Sequence, residues 1–155
     1  MTDKLHLKVV VTHSFSASPE RVFDAWLDPK MIEKWMFSPN LLEQEVVRIS
    51  LDARVGGSFS FVVRRQDKEI DHIGEYLEID RPRYLVFTWG IRQDSGDSSR
   101  VMVDIVAKGT GAELTLTHEL DPAWADYASR TRDSWTKMLQ VLDDTLNTST
   151  SAMAG

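Results

Sequence analysis

The sequence predicts an α+β domain in which a curved antiparallel sheet of about seven strands wraps one long C-terminal helix, with two short helices after the first strand. Three observations predict it. From Trp124 to about Leu146, the residues Trp124, Ala128, Thr131, Trp135, Met138, Leu139, Leu142 and Leu146 recur at spacings of three and four, which puts them on one face of a helix. Upstream, apolar and polar residues alternate in successive stretches, the period of half-buried strands. Two Xaa-Pro starts, Ser18-Pro19 and Asp28-Pro29, open short helices between the first strand and the rest.

The elements follow in order. Leu5, Leu7, Val9, Val11 and Phe15 define the first strand, and His13, which shares their parity, reads as a strand-end residue near water. Ser18 caps a helix whose stripe is Val22, Phe23, Trp26 and Leu27. Pro29 disfavours helical geometry at Asp28 and restarts the chain into a second helix with Met31, Ile32, Trp35 and Met36 as its apolar side, ended by Ser38-Pro39-Asn40. Val47 and Ile49 belong to the next strand. Gly56-Gly57 then makes a sharp reversal into Phe59, Phe61 and Val63. A two-residue hairpin at Gln66-Asp67 would set Phe61 opposite His72 and Phe59 opposite Gly74, with Ile70, His72 and Tyr76 facing inward; a loop one residue longer reverses that parity. Ile73, Leu77 and Ile79 make the other face apolar as well, so pattern alone leaves the face of this strand open. Leu85, Phe87, Trp89 and Ile91 alternate cleanly, and the polar run from Gln93 to Ser99 reads as an exposed loop. Centring the last hairpin on Gly109-Thr110 pairs Ile105 with Leu114, Val103 with Leu116 and Val101 with His118, leaving Asp104, Glu113, Thr115 and Thr117 on a solvated face. Asp121 and Pro122 start the long helix, about 35 Å from end to end, and Asn147 closes it. Residues 1–146 thus read as one domain, and 147–155 as a polar small-residue tail expected to be disordered.

Composition narrows the function. In 155 residues there is no cysteine, which excludes disulfides, thiolate metal sites and cysteine nucleophiles and fits a cytoplasmic protein. The charged start Met1 to His6 is no signal peptide, and no apolar run approaches transmembrane length. A net charge of −6, with both signs interspersed, carries no footprint for nucleic acid or an anionic membrane. No cofactor-binding, metal-binding or hydrolase motif occurs, and the four histidines are scattered, so neither a cofactor nor a metal is expected.

Phe15-Ser16-Ala17-Ser18-Pro19-Glu20-Arg21-Val22-Phe23, followed by Trp26, Asp28-Pro29 and Trp35, resembles the opening of the START-like (SRPBCC) superfamily, in its branch of activator of heat-shock-protein-ninety ATPase homologue-like proteins. Val55-Gly56-Gly57-Ser58-Phe59 resembles that family's glycine turn. Gly74 to Ile79, through Pro82 to Leu85-Val86-Phe87-Thr88-Trp89, resembles its central hairpin, and Trp135 stands where its last helix carries tryptophan. The likeness runs from about Leu7 to Leu146. One departure is Ser134, where the family often has glycine. The resemblance implies a helix-grip fold with an apolar pocket; the branch also holds a co-chaperone and cyclase-like relatives.

A curled sheet gripping a helix is expected to leave a cavity for a small apolar or aromatic molecule. Trp35, Phe59, Phe61, Phe87, Trp89 and Trp135 supply the rings, with Met138 beside them and His72, Tyr76 and His118 as polar groups that orient the ligand. The same rings can instead fill the interior. The two histidines have two readings as well: proton transfer, which would make the protein an enzyme of cyclase, dehydratase or hydrolase type, or core residues bonded to Tyr76 or backbone. A chaperone partner is the weaker expectation, because the known co-chaperone has a separate N-terminal domain whereas this sequence opens on the first strand.

Overall fold

Tight turns organise the sheet. The computed structural model describes residues 7–38, 43–91, 98–120, 126 and 128–154. Strands β1 (Leu7–Phe15), β2 (Glu45–Leu51), β3 (Ser58–Arg65), β4 (Lys68–Asp80), β5 (Tyr84–Ile91), β6 (Ser98–Lys108) and β7 (Gly111–Leu120) form one seven-stranded antiparallel sheet in the order β1-β7-β6-β5-β4-β3-β2. Between β3 and β4 the turn residues Gln66 and Asp67 both take positive φ, 53° and 65°, the pair whose twist suits a two-residue hairpin. The register is therefore Phe61 against His72 and Phe59 against Gly74. The β6–β7 hairpin pairs Val101 with His118, Val103 with Leu116 and Ile105 with Leu114. Both registers are those the sequence predicts.

Two irregularities explain where simple alternation fails. A register shift between Tyr76 and Glu78 returns Ile79 to the core side opposite Leu85, so both parities of β4 carry inward residues in different halves of the strand. In β2 a shift between Val46 and Arg48 turns Val46 and Ile49 inward and leaves Val47 41% exposed.

Two short helices follow β1. Helix α1 (Pro19–Asp24) is capped by Ser18, whose hydroxyl accepts from the Arg21 amide, and α2 (Pro29–Trp35) by Asp28, which accepts from the Lys30 amide. The Trp35 indole N–H donates to the Ala25 carbonyl at 3.0 Å and ties the two together.

The long helix α3 (Ala128–Ala154) lies in the concavity with Trp135, Leu139, Leu142 and Leu146 buried and Ala128, Thr131 and Met138 half-buried. Its expected first residue, Trp124, falls outside the described residues, as do Asp121 and Pro122. The predicted end at Asn147 is corrected: the helix runs on to Ala154, because the Thr/Ser run contains no proline or glycine and adding a residue to an existing helix is far easier than starting one. His13 stands near the end of β1, as expected. It is half-buried, and its Nε2 meets Asp143 Oδ2 of α3 at 3.0 Å.

Candidate functional site

The inner faces of β3, β4 and β5 carry an aromatic sheet of their own. Phe59 and Phe61 stack at 4.6 Å between centroids, and Phe59 also meets Tyr76 at 5.5 Å, Phe87 at 5.8 Å and Trp89 at 5.8 Å. Glycine makes this packing possible. A Cβ on Gly74 would lie 2.4 Å from the Phe59 ring and 2.0 Å from the Thr88 carbonyl oxygen, so the ring occupies the space a side chain would need. Tyr76 is held by the loop before β3, where its backbone exchanges bonds with Gly56 and Gly57, both at 2.9 Å; Gly56 has φ +88°. From the turn between the two short helices, Trp26 stacks on Trp135 at 5.9 Å and meets Trp35 edge-on at 4.7 Å.

These rings border a cleft lined by Phe59, Phe61, Tyr76, Phe87 and Trp89 from the sheet, by Trp26 from the turn between the short helices and by Met36, which caps α2. Counted to its open mouth it measures about 210 Å³, but only about 10 Å³ of it clears a water-sized sphere, which is room for one water. Among the described residues, side chains therefore fill most of this cleft. Trp89 is the half-buried member of the wall, while Phe59, Phe61, Tyr76 and Phe87 are buried. The Trp26 indole nitrogen is buried with no hydrogen-bond partner among the described residues, an N–H donor left over in a wall residue.

Of the residues singled out from sequence, Phe59, Phe61, Tyr76, Phe87 and Trp89 line the cleft. Trp35, His72, His118, Trp135 and Met138 do not. Trp35 is fully buried behind Trp26, where its N–H is already used. Sequence reasoning assigned Trp26 and Met36 to the apolar stripes of the short helices but not to the cleft. Helical spacing tells which residues face inward, not which of two inward tryptophans reaches the sheet's far side.

The histidines have defined chemistry. His118, from β7, is buried. Its Nδ1 lies 3.0 Å from Trp135 Nε1, which can only donate, so Nδ1 is the bare nitrogen and Nε2 carries the proton. Nε2 therefore donates to Ser99 Oγ at 2.6 Å, and Ser99 donates to the Trp89 carbonyl at 3.0 Å. In this tautomer the imidazole takes no proton from Ser99, so the Ser–His contact is a structural relay rather than a nucleophile and its base. Burial pushes its pKa down to about 4. His72 donates from Nδ1 to the Phe61 carbonyl at 3.0 Å and packs on Trp89 at 5.4 Å and Phe37 at 5.2 Å. Burial lowers its pKa as well, and burial raises that of the Tyr76 phenol. All three are neutral at pH 7. No group of three or more His, Asp or Glu suited to a metal occurs among the described residues.

Comparison with known proteins places this arrangement. A family model described as activator of Hsp90 ATPase homolog 1-like protein matches residues 16–147. The chain belongs to that family. Proteins with solved structures share its fold over nearly their whole length, as three show. A Chromobacterium violaceum protein, 25% identical, superposes with a TM-score of 0.76 over 88% of this chain and 95% of its own. A Rhodobacter sphaeroides protein, 16% identical, reaches 0.79 over 91% and 93%. An HSP90 activator from Plasmodium falciparum, 24% identical, reaches 0.70 over 91% and 96%. No curated protein sequence matches. No helix among the described residues is long and apolar enough to cross a membrane.

Proposed function

We propose that this activator-homologue chain binds one small, flat apolar molecule, carrying a hydrogen-bond acceptor, in the aromatic cleft. The carrying observation is the Trp26 indole N–H, buried and without a partner among the described residues, in a side chain that lines the cleft. An unsatisfied buried donor costs about 1–3 kcal/mol, and a ligand acceptor recovers it. Trp89 supplies the room: as the half-buried ring of the wall, it is the side chain that moves at least cost when a ligand intercalates beside Phe59.

The test uses an isosteric pair, 2-acetylnaphthalene and 2-isopropylnaphthalene, titrated against tryptophan emission. Wild type should prefer the ketone by about tenfold, and Trp26→Phe should abolish the preference while sparing the hydrocarbon. If neither compound binds, nor any of a wider apolar panel, the ligand-binding reading falls. A second reading, docking on a heat-shock-protein-ninety ATPase, is favoured by the family match; ATPase assays with and without added chain decide it, and an unchanged rate rejects it.

A further inference from the structure

Arg64 and Arg65 are adjacent on β3 and have opposite surroundings. Arg64, on the outer face, is exposed and bonds two carboxylates, Glu45 at 2.7 Å and Glu69 at 3.2 Å. Arg65 shares the parity of Phe59, Phe61 and Val63 and is half-buried. Its Nη2 donates to the neutral amide oxygen of Gln44 at 2.8 Å, and its Nε is buried with no hydrogen-bond partner among the described residues. Among the described residues no carboxylate pairs with it, and burial alone accounts for its lowered pKa.

A guanidinium drawn partly out of water without a counter-charge destabilises a fold, whereas removing the charge is often neutral or better. Arginine is also the side chain whose rigid fork matches a carboxylate. Between the cleft and Arg65 the inner face of β3 is apolar and covered: Phe61 lines the cleft, fully buried Val63 with its partner Ile70 comes next, and Arg65 follows, so a chain lying there displaces the side chains over Val63. Arg65 is four residue steps along the strand from Phe61, about 13 Å. That is close to the length of an extended ten-carbon chain.

We infer that Arg65 receives the carboxylate of an amphiphilic ligand whose apolar body reaches into the aromatic cleft, which makes the ligand class medium-chain or aryl-alkyl carboxylic acids. This rests on the cleft being a ligand site. The ligand's anion supplies the missing counter-charge, with one carboxylate oxygen accepting from Nε.

The experiment compares decanoate with decan-1-ol on the purified full chain, by calorimetry and tryptophan quenching. Wild type should bind decanoate at least about tenfold more tightly than the alcohol, as expected for charge-assisted hydrogen bonds. Arg65→Gln should bring decanoate down to the level of the alcohol and leave the alcohol unchanged. Equal affinities in wild type, or an unchanged ratio in Arg65→Gln, overturn the inference while the cleft stands. Binding of neither compound overturns the inference, and the cleft reading is then decided by the naphthalene pair and the apolar panel. Arg65→Met supplies an independent reading without ligand: its unfolding midpoint should equal or exceed that of wild type. A fall of several degrees assigns Arg65 a structural role and overturns the inference.

Discussion

The two ends of α3 meet the sheet in different ways. Toward its C-terminus, Leu139, Leu142 and Leu146 are buried, and the polar groups around them are paired: His13 with Asp143 at 3.0 Å, Asn147 donating to Asp143 at 3.1 Å, Ser16 donating to Asn147 at 2.7 Å, and Arg21 donating to the Leu146 carbonyl at 2.9 Å. Around Trp135 the contacts are ring on ring, the cleft lies nearby, and a buried donor, Trp26 Nε1, has no partner among the described residues. Aliphatic packing with satisfied polar neighbours has nothing to gain from a ligand. Stacked rings slide at small cost, and unpaired donors gain from an acceptor. The fold keeps its aliphatic anchor at one end and its aromatic cleft at the other.

The largest expected effect tests the stable end. Leu142→Ala should cost about 2–5 kcal/mol in denaturant unfolding, from lost transfer energy and the cavity left behind. A loss below about 0.5 kcal/mol would mean that this end is not the anchor.

Next comes the aromatic end, read through pH. His118 binds its proton at about pH 4 in the fold against an ordinary 6.5, so the unfolded chain takes up a proton first as pH falls. Stability from this group is complete above about pH 6.5, declines from there to about pH 4, and then levels off, by about 3 kcal/mol in total. His72, shifted in the same direction, adds to the slope. His118→Gln keeps an acceptor for Trp135 and a donor for Ser99 without titrating, so it should flatten the decline. Equal slopes for variant and wild type would show that the histidine is not held neutral.

The smallest effects sharpen the contrast. Phe61→Trp should fill the residual cleft and weaken 2-acetylnaphthalene about tenfold or more, with far-UV circular dichroism unchanged. Asp104→Asn, on the exposed outer face, should leave binding intact and shift stability by less than about 0.5 kcal/mol. Equal loss of binding in both variants would remove the distinction between inner and outer faces.

Much of the architecture could be read from residues alone, because the signals are short-range. The proline-capped helices after Ser18 and Asp28, the hairpins at Gln66-Asp67 and Gly109-Thr110, and the apolar face of α3 each depend on backbone preferences and on periods of two or 3.6 residues. They also specified which residues of β3 and β5 face inward, and so half of the cleft's wall. Tertiary structure decided the rest. The shift after Tyr76 that returns Ile79 to the core arises from how β4 must curve against β5, which no local pattern encodes. That Trp26 rather than Trp35 reaches the cleft depends on how two short helices dock. That His118 is a neutral relay rather than a base depends on Trp135, 17 residues away in sequence, presenting a donor to Nδ1. Periodicity assigns a side chain to a face; only the assembled neighbours determine whether that face is filled, which donors go unpaired, and which nitrogen of an imidazole keeps its proton.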